Sequence, residues 1–530
     1  MTRYDDLRAV WRDVKMYRRA YTLTAVASFG GMLYGWDTGL IGGVLTMDAF
    51  QHSFNLHKDS DNFASLQGNI VSVLQAGCFF GAVASFYVSN TFGRKWALVI
   101  ADVIFIVGSL VQTLIFGGNL TQLYVGRVMG GFGVGLISAI VPAYVGENAP
   151  KEIRGRCIGC MQLFNVTGIC FAFFVNYGVN LDITSETNEA KWRIPFALQM
   201  LPGACLLIGM LFMNESPRWL VEKNRITDAA KALAHVRGKP VDDPDVVQEL
   251  DEIIQDFNGH EQLPLVAQLR AAVSSKKMFY RASFGVVLMS WQQLTGANSI
   301  NYYAPQIFRE IGLAGTSTAL LVTGGYGIVK IVMTAIGLMA FTEQLGRKWS
   351  LMIGSVGQAF AFYYMGINSA VHPPTGELDG NAVFAITCVY LFVIFFSFIG
   401  WGPTPYILSS ECSPNHVRSL VMAASLACQW MWSFTIAKLT PMMLHDITYG
   451  TFLLFGTLCI VMGLWTVLCV PETKGVPLES MGELFEGDIV KGCIQDTWPS
   501  RSRAKTLRHA HSTNHVDAVK GDATTQERSL

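Results

Sequence analysis

The chain has 530 residues, of which 51% are hydrophobic and 15% are charged, and its mean hydropathy is +0.35. Soluble domains carry roughly 25% charged residues, so this composition excludes an ordinary water-soluble core. The formal net charge is zero, which argues against a nucleic-acid partner. The composition therefore predicts a protein embedded in the lipid bilayer.

Twelve apolar stretches are long enough to cross about 30 Å of hydrocarbon as helices. They lie near residues 21–44, 64–90, 97–117, 120–146, 157–180, 194–213, 281–304, 316–342, 349–369, 381–410, 416–440 and 450–470. The first stretch is too long for a cleaved signal peptide, so we interpret it as a retained helix. We predict an all-α membrane protein with twelve transmembrane helices in two six-helix bundles.

The predicted organisation has five parts. They are an N-terminal tail (1–20), a first bundle (21–213), a polar insert (214–280), a second bundle (281–470) and a C-terminal tail (471–530). Within the insert, the spacing of Val246, Val247, Leu250, Ile253 and Ile254 predicts an amphipathic helix. The tail after Lys474 is polar, and we expect it to be disordered.

The positive charges predict how the chain is oriented. With both termini on the inside, the inside segments contain 32 of the 39 lysines and arginines, whereas the outside loops contain only Lys58, Lys191, Arg193 and Arg309. Positive residues accumulate on the cytoplasmic side of membrane proteins. We therefore expect both termini to be cytoplasmic, in a plasma-membrane protein.

Two charged motifs occur once in each half. Gly93-Arg94-Lys95 follows the second stretch and Gly346-Arg347-Lys348 follows the eighth, while Glu147 and Arg154 follow the fourth as Glu411 and Arg418 follow the tenth. Both glutamate–arginine pairs have the same spacing. A chain of two parallel repeats that enclose a mid-membrane site is typical of transporters that alternate the side of access.

These motifs, with several others, resemble the sugar porter family of the major facilitator superfamily over about residues 21–485. The matching stretches are Gly35-Trp-Asp-Thr-Gly39, Pro142-Ala-Tyr-Val-Gly-Glu147, Glu215-Ser-Pro-Arg218-Trp219, Gln292-Gln293-Leu-Thr-Gly296-Ala-Asn298, Trp401-Gly-Pro403 and Pro471-Glu-Thr-Lys-Gly475. Asn90 and Tyr406 depart from the family pattern, which usually has aspartate and tryptophan there. Asn298-Ser-Ile-Asn-Tyr-Tyr303 and Tyr326-Gly-Ile-Val-Lys330 look like the fungal quinate-permease and sugar-acid branch.

Asp37 is the most informative charge, because a carboxylate inside an apolar helix costs on the order of 2.5–3.5 kcal/mol. Arg127, in the fourth stretch, is its expected partner. By resemblance the two match the proton-coupling pair of the family, so that the proton would be the coupling ion and no other cofactor is expected. The alternative is a static ion pair between two helices.

Polar side chains inside the predicted helices are candidates for binding a sugar. Amides can donate to and accept from hydroxyls without adding charge, and aromatic rings offer flat faces to a sugar ring. Resemblance places the following residues at the family's binding positions: Gln162, Gln292, Gln293, Asn298, Tyr406, Gln429 and Trp430. The alternative is that the amides only join helices.

Lys330 lies about 21 Å into its predicted helix at 1.5 Å per residue, past the middle of the bilayer. A lysine at this depth is expected to face a cavity or a partner, and a cavity-facing ammonium would pair with a carboxylate. A sugar acid is therefore an expected substrate beside a neutral hexose or pentose. The alternative is a side chain that extends along its own helix to the membrane surface.

Six charges at the cytoplasmic helix ends are expected to form a gate: Arg94, Glu147, Arg154, Arg347, Glu411 and Arg418. Such a network would join the halves when the cavity faces outwards and separate when it faces inwards. The alternative is solvated positive charge, because exposed pairs contribute only about 0–1 kcal/mol.

Other motifs favour no second function. Cys157 and Cys160 have no partner pair for zinc, and the run Gly130–Gly135 lies in an apolar stretch where glycines serve helix packing. With no nucleophile–base pair or metal cluster, we predict a transporter, not an enzyme, and a monomer. A proton symporter is favoured over a facilitative uniporter by Asp37, and over a nutrient sensor by the short tail.

Overall fold

A computed structural model of the protein describes residues 15–56, 60, 62–259, 265–313, 315–338, 345–372, 379–414, 417–474, 476, 478–498 and 502–504. Within these ranges all regular secondary structure is helical, which confirms the predicted all-α class. The helices before the second half are α1 Arg18–Val44, α2 Asp48–Ser53, α3 Phe63–Phe92, α4 Arg94–Thr113, α5 Leu120–Asn148, α6 Arg154–Asp182, α7 Ala190–Leu198, α8 Met200–Phe212, α9 Pro217–Glu222, α10 Ile226–Arg237, α11 Pro244–Gly259 and α12 Leu265–Ala272. Those that follow are α13 Lys276–Leu294, α14 Ala297–Glu310, α15 Thr316–Ile336, α16 Arg347–Val371, α17 Gly380–Ile394, α18 Thr404–Cys412, α19 Arg418–Asp446, α20 Gly450–Cys469 and α21 Ile489–Asp496.

These helices account for all twelve predicted crossings. Nine crossings in the described part of the chain are long and apolar enough to span a membrane by length and hydropathy. The other three, α1, α13–α14 and α16, carry the glycines, amides and hydroxyls that lower hydropathy. We call the face where α1 begins and where α9–α12 lie the terminal face, and the other the opposite face.

Two crossings of the second half are broken at their centres. The break between α13 and α14 occurs at Gly296, whose φ of +77° favours glycine. Between α17 and α18 the chain passes through a π-helical turn, Phe395–Ile399, and then Gly400 to Pro403. Both breaks free backbone groups inside the bundle, where side chains must bond them.

Within the first bundle, pairs of helices approach each other closely at glycines. A Cβ on Gly131 of α5 would collide with the carbonyl oxygen of Leu74 in α3, and the glycines at 77 and 81 make the reciprocal contacts. The run Gly130–Gly135 therefore serves helix packing, as its sequence predicts. The two halves meet where α3 packs on α19 and α6 packs on α15.

The insert forms a small helical layer on the terminal face. Leu250, Ile253 and Ile254 of α11 pack against Trp219 and Leu220, which confirms the predicted amphipathic helix. Val247, expected on the same apolar face, is 45% exposed.

The prediction of a disordered C-terminal tail is wrong for residues 478–498. A 3₁₀ helix, Leu478–Phe485, and α21 pack onto the second bundle with Phe485 and Cys493 buried. The buried Lys348 ammonium donates to the Cys493 carbonyl at 2.5 Å, as well as to the end of α20. The tail is polar overall, so its composition did not indicate the few buried residues that anchor it to the second bundle. The residues after 504 lie outside the described part.

We predict that Gly131→Ala lowers the thermal unfolding midpoint of the purified protein, because the added methyl group would force α5 away from α3. Gly178→Ala is the matched control, since a Cβ there meets nothing within 4 Å in α6. The control should leave the midpoint unchanged or raise it slightly, because alanine favours helices. Equal midpoints for both variants would contradict the proposed packing role.

Candidate transport site

An ion pair is buried between α1 and α5. Arg127 Nη1 lies 3.5 Å from Asp37 Oδ1, and both side chains are almost completely inaccessible. Arg127 Nε and Nη2 have no hydrogen-bond partner among the described residues. The contact is longer than a typical charge-assisted hydrogen bond of about 2.7–2.9 Å. The predicted pairing is therefore present, and it leaves much of the guanidinium's bonding capacity unused.

Around the broken helices, the predicted amides bond to backbone and side-chain groups. Gln292 Nε2 donates to the carbonyl oxygens of Trp401 and Gly402 at 3.0 and 2.9 Å, which joins α13 to the break before α18. Gln429 Nε2 donates to the Tyr406 hydroxyl at 2.6 Å. Both amides are nearly buried, and Gln429 Oε1 has no partner in the described part of the chain. An available acceptor of this kind could bind a substrate hydroxyl.

Trp430 lies where the two halves meet. Its ring makes an edge-to-face contact with Tyr34 of α1, with centroids 5.0 Å apart, and its Nε1 donates to Ser138 of α5 at 3.3 Å. The indole is thus already bonded across the halves. Gln162 of α6 is half-buried, and no hydrogen bond joins it to the described residues.

A second set of polar groups surrounds Asn301. Its Oδ1 accepts from Lys330 Nζ at 2.8 Å and from the Tyr326 hydroxyl at 3.0 Å, and its Nδ2 donates to Asn298 at 3.3 Å. Asn298 in turn donates to Gln293 Oε1 at 2.6 Å. Asn301 therefore connects Lys330 to two of the predicted binding amides.

Lys330 itself is 4% exposed and lies over the Tyr326 ring, 5.9 Å from its centroid. It is directed towards an amide and a phenol inside the bundle, not along its helix towards the surface. No ion pair joins it to a carboxylate of the described residues. A buried ammonium with no counter-charge is costly, which makes it a candidate for function.

Tyr302 connects these amides to the buried ion pair. Its hydroxyl is 3.3 Å from Ser433 Oγ, which also accepts from Asn298. With the Gln75 amide oriented to satisfy its neighbours, Gln75 Oε1 accepts from Tyr302 at 2.9 Å. Asp37 lies on α1, and α1 packs against α14 where Gly42 meets the Tyr302 carbonyl. The ion pair and the amides thus lie on helices that pack directly against each other.

The predicted charge network at the terminal face has the same form in each half. Arg94 pairs with Glu147 at 3.1 Å, and Arg347 pairs with Glu411 at 3.0 Å. Each pair joins two helices of the same half. Glu147 also accepts from Ser216, and Glu411 accepts from Thr473 at 2.7 Å.

Two glutamates complete this network and have no counterpart in the residue set predicted from the sequence. Glu215 accepts from the backbone N–H groups of Arg94 and Lys95 at 2.9 and 3.0 Å, so that it caps α4. Glu472 accepts in the same way from Arg347 and Lys348 and caps α16. Burial raises the pKa of Glu215, although these N–H groups act to lower it. The sequence does contain a signal for these two caps, because a glutamate followed by serine or threonine comes shortly after the last crossing of each half.

The remaining two predicted gate residues are the first residues of α6 and α19. Arg154, at the start of α6, is half-buried, and the charges that act on it include Arg218, Glu249 and Arg237 of the insert. Arg418, at the start of α19, is half-buried near Arg281.

Hydrogen bonds join the two halves at the opposite face. Lys438 of α19 donates to the backbone and side-chain oxygens of Ser65 at 3.3 Å and to Asn69 of α3. Asn180 of α6 donates to Ser317 of α15 at 3.0 Å. The halves are therefore in contact at the opposite face.

Comparison with known proteins decides the family. The model of a family described as "Sugar (and other) transporter" matches residues 23–485. The chain belongs to this sugar transporter family.

Relatives of this transporter include a "Probable quinate permease" of Neosartorya fischeri, 38% identical over 477 residues that cover 88% of both chains. The "Quinate permease" of Emericella nidulans is 37% identical over 480 residues, 88% of this chain and 89% of the relative. The expected resemblance to the quinate-permease branch is thus confirmed.

Solved structures of XylE agree with the fold. The proton:xylose symporter XylE of the major facilitator superfamily, bound to 6-bromo-6-deoxy-D-glucose, is 27% identical with a TM-score of 0.73, and the match covers 89% of this chain and 100% of that one. The inward open conformation of XylE from E. coli gives the same TM-score and identity over 88% of this chain. The protein is therefore a multi-pass membrane transporter of this superfamily, which is not an enzyme family.

We predict that Lys438→Gln weakens the contact between the halves, because the neutral amide loses a charge-assisted bond to Asn69. Hydrogen–deuterium exchange at the opposite-face ends of α3 and α19 should become faster. Lys223→Gln, on the insert, is the control and should leave exchange there unchanged. Identical exchange in both variants would show that Lys438 does not stabilise this closure.

Proposed function

We propose that the protein is a proton-coupled symporter that carries a sugar or sugar-like acid by alternating access. The observation that carries the proposal is the set of hydrogen bonds that runs from Tyr302, on a helix packed against the one that carries Asp37, through Ser433, Asn298 and Asn301 to Lys330. The carboxylate that would exchange a proton and the groups that would bind hydroxyls are therefore carried by neighbouring helices, so that movement of one helix would act on the other. The printed names of XylE, a proton:xylose symporter, and of the quinate permeases are consistent with this proposal.

In the proposed mechanism, protonation of Asp37 removes its charge and frees Arg127. The guanidinium then turns its unbonded N–H groups to other acceptors, and α1 and α5 change their relative position. Because α1 packs on α14 at Gly42 and Tyr302, this movement would reach the binding amides. Solute binding and proton binding would favour the same conformation, which is the requirement for symport.

The proposed orientation places the terminal face in the cytoplasm, following the positive-inside bias, and the transporter in the plasma membrane. Closure through Lys438 at the opposite face then corresponds to an inward-facing state. The arginine–glutamate pairs join helices within each half in this state. We propose that they also act across the halves when the cavity faces outwards.

Within this mechanism the binding residues are the amides and rings already described, with Gln429 Oε1 as an available acceptor. Lys330 supplies the charge that selects the solute. Because no described carboxylate pairs with it, the carboxylate of a sugar acid could take that place. A sugar acid of the quinate type is therefore favoured over a neutral hexose or pentose.

The proton assignment is tested by Asp37→Asn, which keeps the shape of the side chain but cannot titrate. We predict that uptake against a concentration gradient disappears while exchange of labelled for unlabelled solute continues. The measurement is accumulation and counterflow in proteoliposomes with an imposed pH gradient. Accumulation at the wild-type level would contradict proton coupling and favour a uniporter.

The solute assignment is tested by Lys330→Gln. Loss of the proposed ion pair between the Lys330 ammonium and the solute carboxylate should weaken the apparent affinity for a sugar acid by about 2 kcal/mol, or roughly thirtyfold. The affinity for any neutral sugar that is carried should be unchanged. The measurement is the KM for quinate beside those for hexoses and pentoses. Tyr326→Phe is the control, because it removes the other donor to Asn301 and keeps the ammonium. Equal losses in both variants, or for both solute classes, would mean that Lys330 only supports the fold.

A further inference from the structure

A cavity of about 580 Å³ opens on the terminal face of the first half, beside the charge network that Glu215 completes and apart from the amides around Asn301. The ends of three crossings form one side of it, through Phe92 of α3, Lys95 and Trp96 of α4, and Met213 just after α8. The insert helices α9 and α10 form the other side. Because crossings end where the hydrocarbon ends, the cavity lies between the bilayer surface and the insert.

The side of the cavity next to the bilayer is aromatic and exposed. Phe92 and Trp96 are 50% and 52% exposed, and they continue an apolar surface that includes Phe212, 76% exposed. Aromatic rings in this position are typical of the depth at which lipid headgroups lie. The cavity is therefore open towards the headgroup layer.

The charges in the cavity leave a surplus of positive charge. Arg225 and Asp228 bond to each other at 2.7 Å, and the carboxylate of Glu215 is bonded by backbone N–H groups. Lys231 is exposed, and no hydrogen bond or ion pair joins its ammonium to the described residues. The Lys95 ammonium donates to the Leu211 carbonyl at 2.9 Å and lies over the Trp96 ring, and the charge of Glu215 acts on it, which leaves Lys231 as the cation without a described partner.

A further cation stands next to the cavity. Arg19, at the start of α1, donates to the backbone carbonyl of His235 at 2.9 Å, and the His235 side chain lines the cavity. Basic groups at the cytoplasmic membrane surface attract anionic lipids.

We propose that this cavity binds the phosphate-bearing headgroup of an anionic phospholipid. The phosphate lies between Lys231 and Lys95, and the acyl chains leave past Trp96 into the bilayer. The lipid bridges the ends of α3 and α4 to the insert helix α10. The proposal rests on the cytoplasmic orientation proposed above, but it does not depend on the proton or the solute.

The test compares the reactivity of two lysines in one sample. The protein is reconstituted in nanodiscs of phosphatidylcholine alone or with phosphatidylserine, and acetylation by an amine-reactive ester is followed at each lysine by mass spectrometry. Lys231 is the probe, and Lys491, whose side chain is 86% exposed on the tail, is the control for general surface potential. We expect acetylation of Lys231 to become about fivefold slower with phosphatidylserine, with a much smaller change at Lys491.

Each alternative occupant gives a different result. Equal slowing at both lysines would indicate surface potential alone, and no slowing at either would indicate an empty cavity; both overturn the proposal. Slowing at Lys231 by inorganic phosphate in phosphatidylcholine nanodiscs, as strong as that by phosphatidylserine, would assign the site to a soluble anion and also overturn it. Trp96→Ala should reduce the protection by phosphatidylserine, because a lipid contacts this ring and a soluble anion does not. Since transport is not measured, failure here is distinguishable from failure of the proposed symport.

Discussion

The ion pair between Asp37 and Arg127 is the interaction on which the rest of the transport site depends. In a bundle of apolar helices, neither charge has water to solvate it, so each must be neutralised by the other. A single long contact satisfies this requirement only in part, and the Nε and Nη2 groups of Arg127 have no hydrogen-bond partner in the described part of the chain. An arrangement that is stable but incomplete can be altered by one proton, whereas a fully bonded pair would only stabilise the fold.

The two halves have matching charge networks at the terminal face, which differ in one lysine. Both halves place an arginine–glutamate pair beside a helix capped by a second glutamate. The adjacent lysines differ. Lys95 is half-exposed and bonds one carbonyl, whereas Lys348 is buried and bonds three. The third acceptor is the Cys493 carbonyl of α21, so this helix of the C-terminal tail packs as part of the second half. The first half packs instead against the insert.

Much of the architecture could be predicted because the bilayer imposes simple rules. Crossing lengths and the Asp37–Arg127 partnership follow from the cost of exposing polar groups to hydrocarbon, and the amphipathic helix of the insert follows from the helical spacing of its apolar residues. The breaks in the crossings could be predicted less well, because the stretches that contain Gly296 and Pro403 are apolar enough to be predicted as continuous helices. Asn301, Tyr302 and Ser433 were missed because single polar residues in a helix reveal their partners only when the helices are packed. The folded part of the tail was not predicted, because its packing depends on a few buried side chains in a sequence that is otherwise polar.

The packing of α21 has a practical consequence for handling the protein. The Cys493 carbonyl solvates an ammonium that water cannot reach, and Arg503 forms an ion pair with the buried Asp496. A truncation that begins before residue 489 would remove both, and Lys348 would be left with two acceptors in a desolvated place. Purification tags and fluorescent reporters are therefore better attached after residue 504 than in place of the final helix.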